Sequence, residues 1–264
     1  MNKRGQVTIF VILGIVILFL IFLVTVFKDT LLESKFGTQT NDDLVSTQVE
    51  SIREHVEGCI EEQGYEVISA LGKQGGSLNP GLSKYWYGDD ISYLCYTEQY
   101  GPCYNMVPFL TSHMEDEITD YVSDNLMNCV NFGSWESRGY EISAGDYRVE
   151  TTIGDENVII LVDYPITISR GDSVLEENRF SKNFDVPLGK MARVAKMIVD
   201  KEINNQLGQV FIIPIITLFH GEIEIKRDTH GPYDEVYTLG LKDDVFSMAG
   251  EKYIFQFAVR GWVT

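Results

Sequence analysis

Positive charge is in short supply in this 264-residue chain: 21 Lys and Arg stand against 39 Asp and Glu, a formal net charge of −18. That balance excludes nucleic acid as a partner and argues against anionic lipid headgroups, since both are gripped by Lys and Arg displacing counterions. Catalytic signatures are missing too. There is no G-x-S-x-G elbow, no H-E-x-x-H and no phosphate-cradling glycine loop. The four histidines (His55, His113, His220 and His230) share no motif spacing, and no C-x2-C pair occurs. Neither "GDEN" nor "LKDD" has the register of a calcium loop. No catalytic residue, cofactor or metal site is expected, and the chain shows no internal repeat or low-complexity tract.

What is present is apolar surface, 44% hydrophobic and 12% aromatic, the composition of a folded chain. Its longest run is residues 7–27, 21 positions without a charge, preceded by Lys3 and Arg4. As a helix this run measures about 31 Å, the thickness of a bilayer's hydrocarbon core. A secretory signal has a shorter apolar region and a small-residue cleavage step, whereas "TVFKDTLLESKF" follows here. The run is therefore read as a retained anchor in the lipid bilayer. Lys3 and Arg4 act as the topology signal, placing the N-terminus in the cytoplasm and the rest outside.

The stretch "KRGQVT" resembles the class III signal peptides of archaeal type IV pilin-like proteins, in which a basic pair and a glycine precede an apolar helix. The resemblance implies cutting by a prepilin-type peptidase between Gly5 and Gln6, and homo- or hetero-oligomers formed by packing of the exposed helix. Gln6 and Thr8 fit the family pattern, while Phe10 stands where a glutamate is usual. More loosely, "VEGCIEEQGYEVISALGKQGG", "VDYPITISRGD" and "GEKYIFQFAVRG" resemble anchored surface proteins of small-genome archaea, a likeness that brings no activity with it.

Residues 28–40 read as a juxtamembrane linker and 41–264 as an extracytoplasmic α+β domain, helical over 41–135 and mainly β over 136–264. Asn41 is a plausible N-cap. Val45, Val49, Ile52, Val56, Cys59 and Ile60 form one helical stripe, continued by Tyr65, Val67, Ile68 and Leu71 and stopped at "GKQGG", with Gly64 as a candidate kink. Residues 77–108 read as loop. A second helix is expected from a capping box of Ser112 with Glu115, with Met114, Ile118, Val122, Leu126 and Cys129 on one face. From Tyr140 the period changes to two. "VIILVDYPITISR" reads as a buried strand that becomes edge-like after Pro165, and "RGDS" as a hairpin turn. Met191, Val194, Ala195 and Ile198 mark a third helix ending near Gly208, with Lys190, Arg193, Lys196 and Lys201 balancing acids. "VFIIPIITLF" reads as a buried strand, and "EIEIK", "EVYTLGL" and "KYIFQFAVRGW" as the last strands. The expected fold is an N-terminal transmembrane helix followed by two to three helices and an antiparallel sheet.

Four cysteines outside a membrane point to two disulfides, with three connectivities open. Cys95 and Cys103 bracket a short loop and are natural partners; Cys59 and Cys129 would pin two helices together. The aromatic set Tyr85, Trp86, Tyr87, Tyr93, Tyr96, Tyr100 and Tyr104 is a candidate binding surface. The leading functional expectation is an anchored surface protein with a structural or assembly role. The alternatives are an anchored binding protein using region 85–104 and an extracytoplasmic hydrolase built on acids that only the fold could bring together.

Overall fold

The computed structural model describes residues 41–99, 101–204, 212–219, 221–231, 233–242, 247–248 and 251–261. The anchor, Gly5, Gln6, Tyr100 and Gly208 lie outside these residues. Among the described residues no helix is long and apolar enough to cross a membrane.

The first helix, α1 (Asn41–Gln74), buries Ile52, Val56, Cys59, Ile60, Val67, Ile68 and Leu71 of the face its periodicity predicts, whereas Tyr65 of that stripe is exposed, its ring edge-on to Phe184. It stops where Gly75 and Gly76 turn left-handed, at φ 77° and 87°. Strands β1 (Ser83–Trp86), β2 (Asp89–Tyr96) and β3 (Tyr104–Asn105) follow, where the sequence predicts loop. The strand β2 escapes a periodicity test because both of its faces are covered: Ile91 through Cys95 are all buried. Next come α2 (Leu110–Cys129), the single turn α3 (Gly133–Glu136), β4 (Glu141–Ala144), β5 (Arg148–Ile153), β6 (Val158–Arg170) and β7 (Ser173–Phe184). The chain closes with α4 (Leu188–Asn204), α5 (Ile213–Leu218), β8 (Ile223–His230), β9 (Asp234–Leu241), the small ribbon β10 (Ser247–Met248) and β11 (Glu251–Lys252), and β12 (Ile254–Arg260).

The α+β class holds, but the strands form two main sheets instead of one. The first runs β1-β2-β12-β9-β8 with β3 on β2, and is mixed because β2 and β12 pair in parallel. The second is antiparallel. There β5 and then β4 line one edge of β6, and β7 lines the other. Pro165 therefore sits mid-sheet, tolerated by an irregularity between Asp163 and Ile166 and not by an edge.

Two more expectations are corrected. The helix α2 begins at Leu110 without a side-chain cap, and Glu115 instead accepts the Ile153 amide of β5 at 2.9 Å. The "IPIITL" run is helical, with Pro214 in its first turn; only Ile215 is buried, while Ile213 and Leu218 are 71% and 60% exposed. Gly64 lets β7 approach closely, because a Cβ there would lie 2.2 Å from the ring of buried Phe184.

One continuous core fills the space between helices and sheets. The first half of α1 lies along β7, tied by Arg53–Glu177 at 2.5 Å and Lys182–Glu61 at 2.7 Å. Its end reaches β12, where Gly72 abuts Tyr253 and the Ile254 carbonyl. Two disulfides join Cys59 to Cys129 and Cys95 to Cys103.

Two glycines of α1 give a contrast of sign. Gly64→Ala is expected to destabilise by roughly 1–3 kcal/mol through overpacking on Phe184, outweighing its gain in helix propensity. Gly58, with nothing within 4 Å of its Cβ position, is expected to gain about 1 kcal/mol on becoming alanine. Urea midpoints of the two variants check this, and a stabilised Gly64→Ala would sink the close-packing explanation.

Candidate functional site

The mixed sheet has a core face and an outer face. Along β9 and β12 alternation turns Tyr237, Leu239, Phe255, Phe257 and Val259 into the main core and Val236 and Ala258 outward. Val236 and Ala258 join Ile91 and Tyr93 in a second, small buried cluster, with Trp86 and Tyr96 packed against it. The same alternation brings a row of His230, Asp234 and Arg260 to this outer face across three strands.

The tyrosine-rich stretch comes to this side of the molecule, though not as one surface. Tyr93 is buried, and burial followed by the adjacent Asp234 carboxylate holds its phenol well above the usual range, hence neutral. Tyr96 is half-buried with its ring edge-on to Tyr93 at 5.1 Å. Trp86 packs between Tyr87, at 4.8 Å, and His230, at 5.6 Å. Tyr85 and Tyr104 project into solvent, Tyr85 from the side of β1 opposite to Lys84 and Trp86. Tyr87 is 88% exposed at the tip of the β1–β2 hairpin, a two-residue turn in which Tyr87 and Gly88 have φ of 48° and 108°. Left-handed backbone costs a residue with a Cβ about 1–2 kcal/mol. An asparagine would suit the turn better, so this ring is presented to solvent in spite of the local preference.

Where the Cys95–Cys103 loop meets the ends of β9 and β12, a cavity of about 140 Å³ opens, lined by Thr97, Glu98, Gln99, Tyr233, Arg260 and Gly261. Its walls are tied together. The Thr97 amide donates to the Arg260 carbonyl at 3.0 Å, the Gly261 amide to the Tyr233 carbonyl at 3.3 Å, and the Gln99 amide to the Thr97 hydroxyl at 3.2 Å. The disulfide closes the loop behind them, with Cys103 against Gly261. The Arg260 guanidinium lies between two rings, 5.7 Å from Tyr96 and 5.9 Å from Tyr233. Asp234 orients it from 3.9 Å, beyond hydrogen-bond reach, while the other Asp234 oxygen takes Lys84 at 2.9 Å. The guanidinium fork is thus aimed by charge without being spent on Asp234.

No protein-family model, curated protein or solved structure matches this chain. Its function rests on the chemistry of its own surfaces. An arginine between aromatic rings, beside a carboxylate, an amide and a hydroxyl, is chemistry suited to orienting a polar molecule.

Other groupings are less suited to a ligand. A hollow of about 370 Å³ separates the start of α2 from α4, but its cations Arg193 and Lys196 are engaged by Asp155 and Asp200. The "GDEN" acids are likewise taken, Asp155 by Arg193 and Glu156 by Lys190. Among the described residues no three His, Cys, Asp or Glu converge as metal ligands. Sequence reading missed a carboxyl pair in the core, where the Tyr237 hydroxyl lies 2.6 Å from Glu202 and 3.0 Å from Glu235. It also missed Tyr233 and Arg260, which carry no local signature in "GPYDE" and "FAVRGW".

Proposed function

We propose that the protein is an anchored extracytoplasmic binding protein, held by residues 7–27 and presenting the cavity beside the Cys95–Cys103 loop to its ligand. The observation that carries this reading is the Arg260 fork set between Tyr96 and Tyr233 at the mouth of a disulfide-closed loop. Both disulfides accord with a compartment that is not kept reducing. The strongly acidic composition suits a solvated domain outside a membrane.

A second reading, a pilin-like or envelope component that assembles through its apolar helix, is favoured by "KRGQVT" and leaves the cavity as its contact surface. The hydrolase reading loses support, since Glu202 and Glu235, each 8% exposed, face Tyr237 inside the core where no substrate reaches them.

Intact mass and N-terminal sequence of the protein from its native membrane test the arrangement. Without reductant all four cysteines should resist alkylation; free thiols would remove the extracytoplasmic placement. A start at Gln6 brings the assembly reading forward, and a start at Met1 or Asn2 removes it and leaves the permanent anchor.

A further inference from the structure

The chemistry of the cavity narrows its ligand. Arg260 offers donors only, Glu98 accepts only, and Gln99 does both. One cation and one anion across so small a space leave the site locally neutral. A carboxylate or phosphate ligand would meet Glu98 and a protein of charge −18, and a cationic ligand would be repelled by Arg260, whose guanidinium lies over one face of the Tyr96 ring and one face of the Tyr233 ring. What satisfies donor and acceptor walls together is a group that accepts and donates at once, which is a hydroxyl. What fills the space against Tyr233 is an apolar C–H face. A pyranose ring has both: hydroxyls at its rim and C–H bonds on its faces. At roughly 30 Å³ per water the cavity holds about five waters, enough to enclose one edge of a sugar ring and too little for a larger cofactor.

We propose that the cavity of Thr97, Glu98, Gln99, Tyr233 and Arg260 binds one ring of a neutral glycan, an inference that rests on reading the cavity as a binding site. Tyr233 supplies the stacking surface, the Arg260 fork donates to ring hydroxyls, and Glu98 accepts from them.

The test uses the full chain in phosphatidylcholine nanodiscs, which contain no sugar. Saturation-transfer NMR from the aromatic protons is recorded for short β-1,4-glucose, mannose, galactose and N-acetylglucosamine oligomers, and for a galacturonic acid oligomer as a charged counterpart. Transfer to the C–H protons of at least one neutral oligomer is expected. Tyr233→Ala, at a side chain 42% exposed, should weaken it by about tenfold or more, and Arg260→Lys, which keeps the charge but loses the planar fork, should do so as well. Binding of the galacturonate alone, lost in Tyr233→Ala, overturns the neutral glycan and retains the cavity as the site. Sugar binding that neither variant changes places the site elsewhere and overturns the cavity reading itself. No transfer to any oligomer overturns the saccharide assignment.

Discussion

Replacing Cys59 and Cys129 together by alanine is expected to lower the free energy of unfolding by about 4 kcal/mol, the larger of the two disulfide effects. That bond spans 70 residues and joins α1 to α2, so its loss releases a long loop in the unfolded chain. The Cys95–Cys103 bond spans only 8 residues, and the same chain-entropy relation gives about 2.5 kcal/mol for its removal. The functional consequences should run the other way. Cys59 and Cys129 sit on helices remote from the outer face, whereas the short bond closes the loop that carries Thr97, Glu98 and Gln99. Urea unfolding of the two double variants, read beside saccharide binding, separates these contributions. If removing the short bond destabilised more than removing the long one, chain entropy would not be the term that decides, and strain or packing at Gly261 would have to replace it.

The helices and the late strands were legible because each buries one face. Met114, Ile118, Val122 and Leu126 fall on one side of α2 and are fully buried, and the β6–β7 hairpin closes at Gly171, whose φ of 61° suits the "RGDS" turn. Local pattern fails where an element is covered on both sides or where its partner is far along the chain. The parallel pairing of Tyr93 with Ala258 bridges most of the domain, and nothing near either residue announces the other. The site inherits that limit. Tyr85 through Tyr104 could be named from composition, yet the cavity is completed by Tyr233 and Arg260, which arrive only because β12 lies between β2 and β9. Apolar content alone also misled at Ile213 and Leu218, since Pro214 starts a helix there and leaves both side chains in solvent. The core carboxyl pair did carry a signal. In "DEVYTLGL" the inward set is Glu235, Tyr237, Leu239 and Leu241, and a glutamate in that register needs an internal partner.

That partner makes stability depend on pH, with an expected loss of about 3 kcal/mol as pH rises from about 4.5 to about 7. Burial foremost raises the Glu202 carboxyl from 4.5 to about 7; the Tyr237 hydrogen bond opposes the shift, the Glu235 charge adds to it, and Arg227 opposes it. These are the charged and titratable groups that β8 and β9 turn toward it, with Arg227 3.8 Å from Glu235. Below pH 7 protonated Glu202 donates to the Tyr237 oxygen, and the tyrosine's own hydrogen serves Glu235. Above it a single hydrogen faces two carboxylates. The folded state then holds one proton more than the unfolded chain between the two pKa values, so stability falls with rising pH across that window and is flat beyond it. Glu202→Gln supplies an amide donor that never ionises. It should match the wild type at about pH 4 and exceed it by up to about 3 kcal/mol at about pH 8, measured by urea unfolding of the full chain. Parallel curves for the two proteins would mean that Glu202 does not hold the proton. Because α4 and β9 meet at this contact, its weakening above neutral pH should loosen the end of α4 first, seen as faster amide exchange at Ile203 than at Val194.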